Sequence, residues 1–145
     1  MTILVATDGS RAGVAALKFA ARLADGDRKA QLVVLTVDPS GNGARPRKGG
    51  RRNDAQKALD SAARHVRRRG GPTARFQLVP ARRADEVPDV ISREADRMRA
   101  DMVVVGSEGR DSLSEWIVGG TALRLIYVAR RPVTVVRAPR RRKTG

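Results

Sequence analysis

The sequence contains no cysteine and a single histidine, His65. Disulfide bonds and thiolate chemistry are therefore excluded, and His65 is the one imidazole that a zinc site or a Ser-His-Asp triad could use. We interpret His65 as structural or exposed. A G-x4-G-K-[ST] segment is also missing, so the lysine and hydroxyl of a P-loop nucleotide site are absent. Aromatic residues make up 3% of the chain, and we therefore expect a core of Val, Leu, Ile and Ala.

Long apolar runs are also lacking, since none approaches the roughly 20 residues that a membrane-spanning helix needs. The chain begins with a strand-like run and shows no basic segment of a signal peptide. From these features we expect a cytoplasmic protein. Its 145 residues suffice for one domain with a real core. We predict this domain at residues 1–137 and a disordered basic tail at residues 138–145.

Acidic residues are scarce: the chain has 15 of them and 30 basic residues, which gives a net charge of +15. The excess is concentrated between Arg45 and Arg83, where the acids are Asp54 and Asp60, and again in the tail. Such a charge attracts polyanions, among them nucleic acid and anionic lipid. The simpler interpretation is a solvated surface in an arginine-rich chain. Both interpretations remain open at this point.

Apolar runs of strand length alternate with segments of helical periodicity. The predicted strands are Ile3–Thr7, Leu32–Val37, Ala74–Val79, Met102–Val105 and Val133–Val136. The predicted helices are Ala12–Leu23, Ala55–Val66, Val87–Met98 and Thr121–Val128. Ser10 is placed to cap the first helix, and residues 39–52 are predicted to form a mobile loop. This order is typical of an α/β fold, an open five-stranded parallel sheet with helices on both faces, Rossmann-like.

Ligands of such sheets bind beyond the carboxyl ends of the strands, where the strand order reverses. The ends to consider are Thr7-Asp8, Val37-Asp38 and Val105-Gly106. A glycine-rich segment starts at the last of these and runs to a predicted helix start at Gly119-Gly120-Thr121. Glycine lets backbone N–H groups approach a ligand closely, and a helix amino terminus favours anions. The segment is therefore a candidate for holding a di- or triphosphate.

The glycines Gly106, Gly109 and Gly119 have the spacing G-x2-G-x9-G. In this spacing, and in segments such as Ile-Leu-Val-Ala-Thr-Asp-Gly-Ser near the start and Arg-Pro-Val-Thr-Val-Val-Arg near the end, the sequence resembles the universal stress protein family. The resemblance covers nearly the whole chain. It implies ATP as ligand, a role in stress response and signalling instead of metabolic catalysis, and a homodimer formed through the last strand, Val133–Val136.

The resemblance also implies where the nucleotide would bind. The ends of strands one, two and four would approach the base, with Val37 offering backbone groups to the adenine edge and Val105 lining it. Ribose and phosphates would contact the glycine-rich segment, with Ser107 bonding either ligand or its own loop. The full set of candidate site residues is Ala6, Thr7, Asp8, Val37, Val105, Gly106, Ser107, Gly109, Gly119, Gly120 and Thr121.

Two positions depart from the family pattern. Gly120 replaces the Ser or Thr that follows the third glycine, with Thr121 one place later, and Ser112 stands where many members have glycine. Asp8 has two interpretations of equal weight. It is either a helix-entry residue that bonds local N–H groups, or a carboxylate that holds Mg²⁺ against the phosphates.

Three functions are compatible with these features. The first is an ATP-binding stress-response regulator without strong catalytic activity. The second is a basic module that binds nucleic acid or another polyanion, although stacking aromatics and known nucleic-acid motifs are missing. The third is an ATPase or nucleotidyl-transfer enzyme on the same fold. The lack of an evident base near the glycine-rich segment argues against this third function. We predict the first, with no membrane span.

Overall fold

The structure is a computed structural model, and it describes residues 1–39, 51–68, 72–108 and 119–139. In chain order its elements are β1 (Thr2–Ala6), α1 (Arg11–Asp25), β2 (Gln31–Asp38), α2 (Arg51–Arg68), β3 (Ala74–Pro80), a short 3-10 helix (Ala84–Glu86), α3 (Val87–Arg97), β4 (Met102–Gly106), α4 (Gly120–Val128) and β5 (Val133–Val136). Every strand and helix predicted from the sequence is present, with ends that differ by a few residues.

The five strands form one parallel sheet in the order β3-β2-β1-β4-β5. The chain first moves outward from β1 to β3, and then returns to the other side of β1 to add β4 and β5. The strand order therefore reverses between β1 and β4, and this is where a parallel sheet opens a crevice at its carboxyl edge. The predicted fold class is confirmed.

The core has two halves because helices cover both faces of the sheet. In β1, Ile3 and Val5 face a cluster that includes α1 and α2, whereas Leu4 faces a cluster that includes α3 and α4. Strands buried on both faces read as continuous apolar runs, as β1 and β2 do. The fillers are aliphatic, as expected from the scarcity of aromatic residues.

Acidic residues mark the starts of α3 and α2. Asp85 and Glu86 belong to the 3-10 helix that leads into α3, and Asp89 is the acidic residue of the first turn of α3. The helix α2 starts at Arg51, inside the predicted loop at residues 39–52, and Asp54 lies in its first turn, where the helix dipole favours an acid. The remainder of that loop, 40–50, lies outside the described residues.

The two edges of the sheet are β3 and β5. The edge position of β3 agrees with its less apolar sequence, and every residue of β5 is only partly buried. Within the described part of the chain, no helix is both long and apolar enough to cross a bilayer.

Candidate functional site

The turn from β1 into α1 forms one wall of the site. Gly9 has a φ of 81°, a left-handed conformation that glycine adopts with little cost. The backbone N–H of Ser10 donates to Oδ1 of Asp8 at 2.9 Å. Oγ of Ser10 accepts the N–H of Gly13 at 3.1 Å and caps α1, as predicted. Asp8 therefore orders the turn while its side chain remains exposed at the rim.

The last residue of β4, Gly106, lies directly against the first turn of α1. A Cβ at this position would lie 2.5 Å from the carbonyl carbon of Ala12 and 2.7 Å from the backbone N of Gly13. Such distances are sterically forbidden, so glycine is required here for helix–strand packing. Packing alone explains the glycine at position 106, without any requirement that the backbone approach a ligand.

Ser107 ties the two ends of the glycine-rich segment together. It is buried, with 7% of its surface exposed. Its N–H donates to the carbonyl of Val136 at 2.8 Å, and its own carbonyl accepts the N–H of Gly119. Gly119 is the N-cap of α4. The amide of Gly119 is thus engaged within the protein, and the amides of Gly120 and Thr121, in the first turn of α4, have no acceptor four residues back in the helix.

These walls enclose a cleft at the carboxyl edge of the sheet, over the point where the strand order reverses. It contains about 550 Å³ of empty space, including the part open to solvent. Its predicted lining residues come from β1, β2, β4 and the start of α4: Ala6, Thr7, Asp8, Val37, Val105, Gly106, Gly119 and Thr121. Most of the residues nominated from the sequence thus meet in one cleft.

Two of the nominated residues that the structure describes do not line the cleft. Ser107 is buried behind it. Gly120 starts α4 and is exposed, and a Cβ there would meet nothing within 4 Å, so glycine is not sterically required. Gly109 lies outside the described residues, as does Ser112.

The cleft also has lining residues that were not predicted from the sequence: Gly13, Val87, Ile91, Glu108 and Ala122. Val87 and Ile91 lie in the predicted third helix, four residues apart. Their position one turn apart at the start of that helix is a signal that could have found them, since the amino ends of such helices face the carboxyl edge of the sheet. Gly13 carried a weaker signal, as glycine is unfavourable in a first helical turn.

The cleft is apolar at one end and polar at the other. Val37, Val87 and Ile91 belong to the hydrophobic cluster on the α3 side of the sheet. At the other end lie Thr7 and Asp8, which a Cβ on Gly13 would touch at 2.8 and 3.0 Å. The amino termini of α1 and α4 supply N–H groups and positive dipole ends there. This combination suits a ligand with an apolar ring and an anionic group.

Metal ligands are few at the site. Asp8 and Glu108 both line the cleft. Within the described ranges, no three His, Cys, Asp or Glu side chains come together as a metal site. A cation held here would therefore need oxygen atoms from a bound ligand in addition to carboxylate.

Comparison with known proteins gives a consistent result. The sequence profile described as "Universal stress protein family" matches residues 1–137. A curated universal stress protein of Methanocaldococcus jannaschii is 25% identical over 146 aligned positions, which cover 96% of this chain and 83% of the relative.

Two solved structures from Archaeoglobus fulgidus share the fold. One is a universal stress protein with a TM-score of 0.76 and 28% identity, and the match covers 94% of this chain and 98% of the chain of that protein. The other is the universal stress protein from that organism in complex with dAMP, with a TM-score of 0.73, 27% identity and the same coverage.

Proposed function

Since the chain belongs to the universal stress protein family, we propose that it is a cytoplasmic stress-response regulator that binds an adenine nucleotide, foremost ATP. The observation that carries this proposal is the two-ended cleft at the reversal of the strand order, with its apolar end against α3 and its amide-rich end at α1 and α4. An adenine nucleotide has a matching division into an apolar ring and a phosphate chain. The similar Archaeoglobus protein in complex with dAMP supports the same ligand class.

In this proposal the base lies against Val37, Val87 and Ile91. The phosphates then extend toward the first turn of α4, where the amides of Gly120 and Thr121 have no acceptor within the helix. Neither contact needs a charged side chain. Binding would therefore depend on shape and on backbone amides, and it should weaken much less with salt than binding to an exposed cationic surface.

We propose that Mg²⁺ accompanies ATP at Asp8. Asp8 and Glu108 both line the cleft, and two carboxylates near a triphosphate repel it unless a cation lies between them. Magnesium commonly combines one or two carboxylates with phosphate oxygens. The residues present fit this arrangement, in which the ion would neutralise the phosphate charge.

Binding without strong turnover is the form of activity that we propose. The single imidazole of the chain, His65, is on α2, and no residue of α2 is among the described residues that line the cleft. Among the described residues, the cleft therefore holds no imidazole that could act as a base for water. The enzymatic alternative, an ATPase, would require labelled ATP to be hydrolysed well above the rate of a variant with a filled cleft.

We further propose a homodimer formed through β5. This strand is an edge of the sheet and is partly buried throughout, and its outward backbone groups are available for pairing with a second copy. The adjacent helix α4 exposes Leu123, Ile126 and Tyr127, whose relative exposures are 49, 50 and 80%. An apolar surface beside an open strand edge is consistent with a protein partner.

Isothermal titration calorimetry with MgATP tests the nucleotide site. Gly119→Val is expected to lower affinity at least tenfold with the fold retained, because Gly119 lines the cleft and its φ of −61° and ψ of 155° are accessible to valine. Gly26→Val is the matched control, since its Cβ would make ordinary contact at 3.6 Å far from the cleft. Unchanged affinity of the Gly119 variant, or equal loss in both variants, would contradict the proposal.

A further inference from the structure

The outer face of α2 carries four exposed basic residues, interrupted by the exposed acids Asp54 and Asp60. Lys57, Arg64 and Arg68 are seven and four residues apart, so they lie on one stripe of the helix, and Arg67 flanks it. All four residues are exposed. The opposite side of the helix buries Ala55, Ala58, Leu59, Ala62 and Val66 against the sheet, so the basic stripe points away from the protein.

None of the four cations forms an ion pair with another described residue. The ion pairs between described residues involve Arg83, Arg97 and Arg131, and none of them includes a residue of α2. The acids of α2 are Asp54 and Asp60, and Asp60 accepts a hydrogen bond from Nε2 of Gln56 at 2.9 Å. Arg64 and Arg68 are like charges one turn apart, an arrangement that destabilises a helix, whereas Arg67 and Arg68 in the last turn also complement the helix dipole. What marks the stripe as a candidate binding surface is that all four side chains are exposed and form no ion pair with another described residue.

From this unpaired stripe we infer a second binding surface, formed by Lys57, Arg64, Arg67 and Arg68, that binds the phosphate backbone of duplex nucleic acid. From Lys57 to Arg68 the stripe rises by eleven steps, or about 16 Å at 1.5 Å per residue. Counting both strands, a duplex carries a phosphate roughly every 1.7 Å along its axis. A stretch of this length therefore offers more phosphates than the four side chains can contact.

Nucleic acid fits this surface better than an acidic protein does. All of its described outward residues are polar or charged: Asp54, Gln56, Lys57, Asp60, Ser61, Arg64, Arg67 and Arg68. Protein interfaces have an apolar or aromatic centre, whereas protein–DNA interfaces are polar and strongly basic. The face also lacks an aromatic side chain on which single-stranded bases would stack, which favours a duplex held by its backbone.

The surface is separate from the nucleotide cleft, to which α2 contributes no residue within the described part of the chain. The amino terminus of α2 follows the carboxyl edge of the sheet, whereas Arg64, Arg67 and Arg68 occupy its last turns, toward the amino edge. The two sites can therefore fail independently in experiments.

Fluorescence anisotropy of a labelled 24-base-pair DNA duplex tests the inference in the full chain. The test variant carries Lys57→Gln, Arg64→Gln, Arg67→Gln and Arg68→Gln together. The control removes four exposed charges elsewhere, through Arg22→Gln, Arg28→Gln, Lys29→Gln and Arg93→Gln. The Tm of each variant and its affinity for MgATP are measured alongside.

We expect the α2 variant to lose affinity at least tenfold in 100 mM salt, and the slope of log K against log salt to fall by about 3 to 4, at roughly 0.9 per phosphate contact. The control should retain most of the affinity and most of the salt dependence, and the Tm of each variant checks that the fold is retained. Equal losses in the two variants would assign binding to net charge alone and overturn the inference, as would unchanged binding by the α2 variant. Equally tight, α2-dependent binding to vesicles of phosphatidylcholine and phosphatidylserine would overturn the choice of nucleic acid.

Discussion

At the scale of single residues, the glycines around the cleft have different physical roles. Gly106 makes room for the backbone of α1, since a Cβ there would overlap Ala12 and Gly13. Gly9 supplies a left-handed turn. Gly120 is required by neither packing nor conformation, because a Cβ there would meet nothing within 4 Å. Spacing alone treats such glycines as one motif, whereas the structure separates packing from ligand approach.

The contrast gives a stability prediction. Gly106→Ala should lower the free energy of unfolding by about 2 kcal/mol or more, because overpacking here meets backbone that cannot move aside. For a chain of this size the Tm should fall by about 5 °C. Gly120→Ala should leave stability unchanged or raise it by up to about 1 kcal/mol, as alanine is favoured over glycine in helices. Urea unfolding followed by circular dichroism measures both. A Gly106→Ala variant as stable as Gly120→Ala would show that the assigned packing role is wrong.

Site residues could be predicted from the sequence where they directly follow a strand or precede a helix. Thr7 and Asp8 follow an apolar strand, and Gly119 precedes a helix, so sequence order alone brings them to the carboxyl edge. Val87 and Ile91 reach the cleft because α3 crosses the sheet with a particular rotation about its axis. Helical periodicity identifies an apolar face, and the chain order brings its amino end to the carboxyl edge of the sheet, but neither determines how far that face extends over the cleft.

At the scale of elements, the five strands and four helices could be predicted because each is marked by periodicity and by a clear break. Ser10 caps α1 and donates to the carbonyl of Glu108 at 3.3 Å as well, so one side chain both starts the helix and fixes the loop after β4. The second of these bonds links residues 98 positions apart, and no local pattern predicts it.

The edge strand β5 offers a test of the proposed dimer. The carbonyls of Pro132 and Val136 accept bonds from β4 and from Ser107 just after it, so alternation directs the backbone groups of Val133 and Val135 outward. Val135→Pro should remove an outward donor and yield a monomer with the fold retained, since proline is tolerated on an edge. Thr134→Pro removes a donor that faces β4 and should instead destabilise the fold. Sedimentation equilibrium and thermal unfolding separate these outcomes; a dimeric Val135→Pro variant would contradict pairing through β5.

At the scale of the whole molecule, the net charge of +15 opposes the compact state through self-repulsion. The Tm should therefore rise by several degrees between 10 and roughly 300 mM sodium chloride, where the Debye length falls from about 30 Å to below 8 Å. Differential scanning calorimetry measures the shift. A Tm that is constant or falls over this range would mean that the basic residues are neutralised within the fold.

The basic surface and the cleft respond to the same anions in different ways. ATP carries phosphates that an exposed arginine stripe on α2 would also attract, so affinity alone does not identify the site that binds it. The composition of the sequence shows the excess of basic residues. Which of them share one exposed face of α2 becomes clear only from the rotation of that helix against the sheet. Locating bound ATP on the protein therefore distinguishes the two sites.

The most direct test is a two-dimensional ¹H–¹⁵N NMR titration of the labelled protein with MgATP. We predict that the amide resonances of Gly120, Thr121 and the turn from Thr7 to Gly9 shift saturably, whereas those of Arg64 and Arg68 on α2 do not. Shifts confined to α2, or no saturable shift at the first turn of α4, would contradict a nucleotide site built from backbone amides at the carboxyl edge of the sheet.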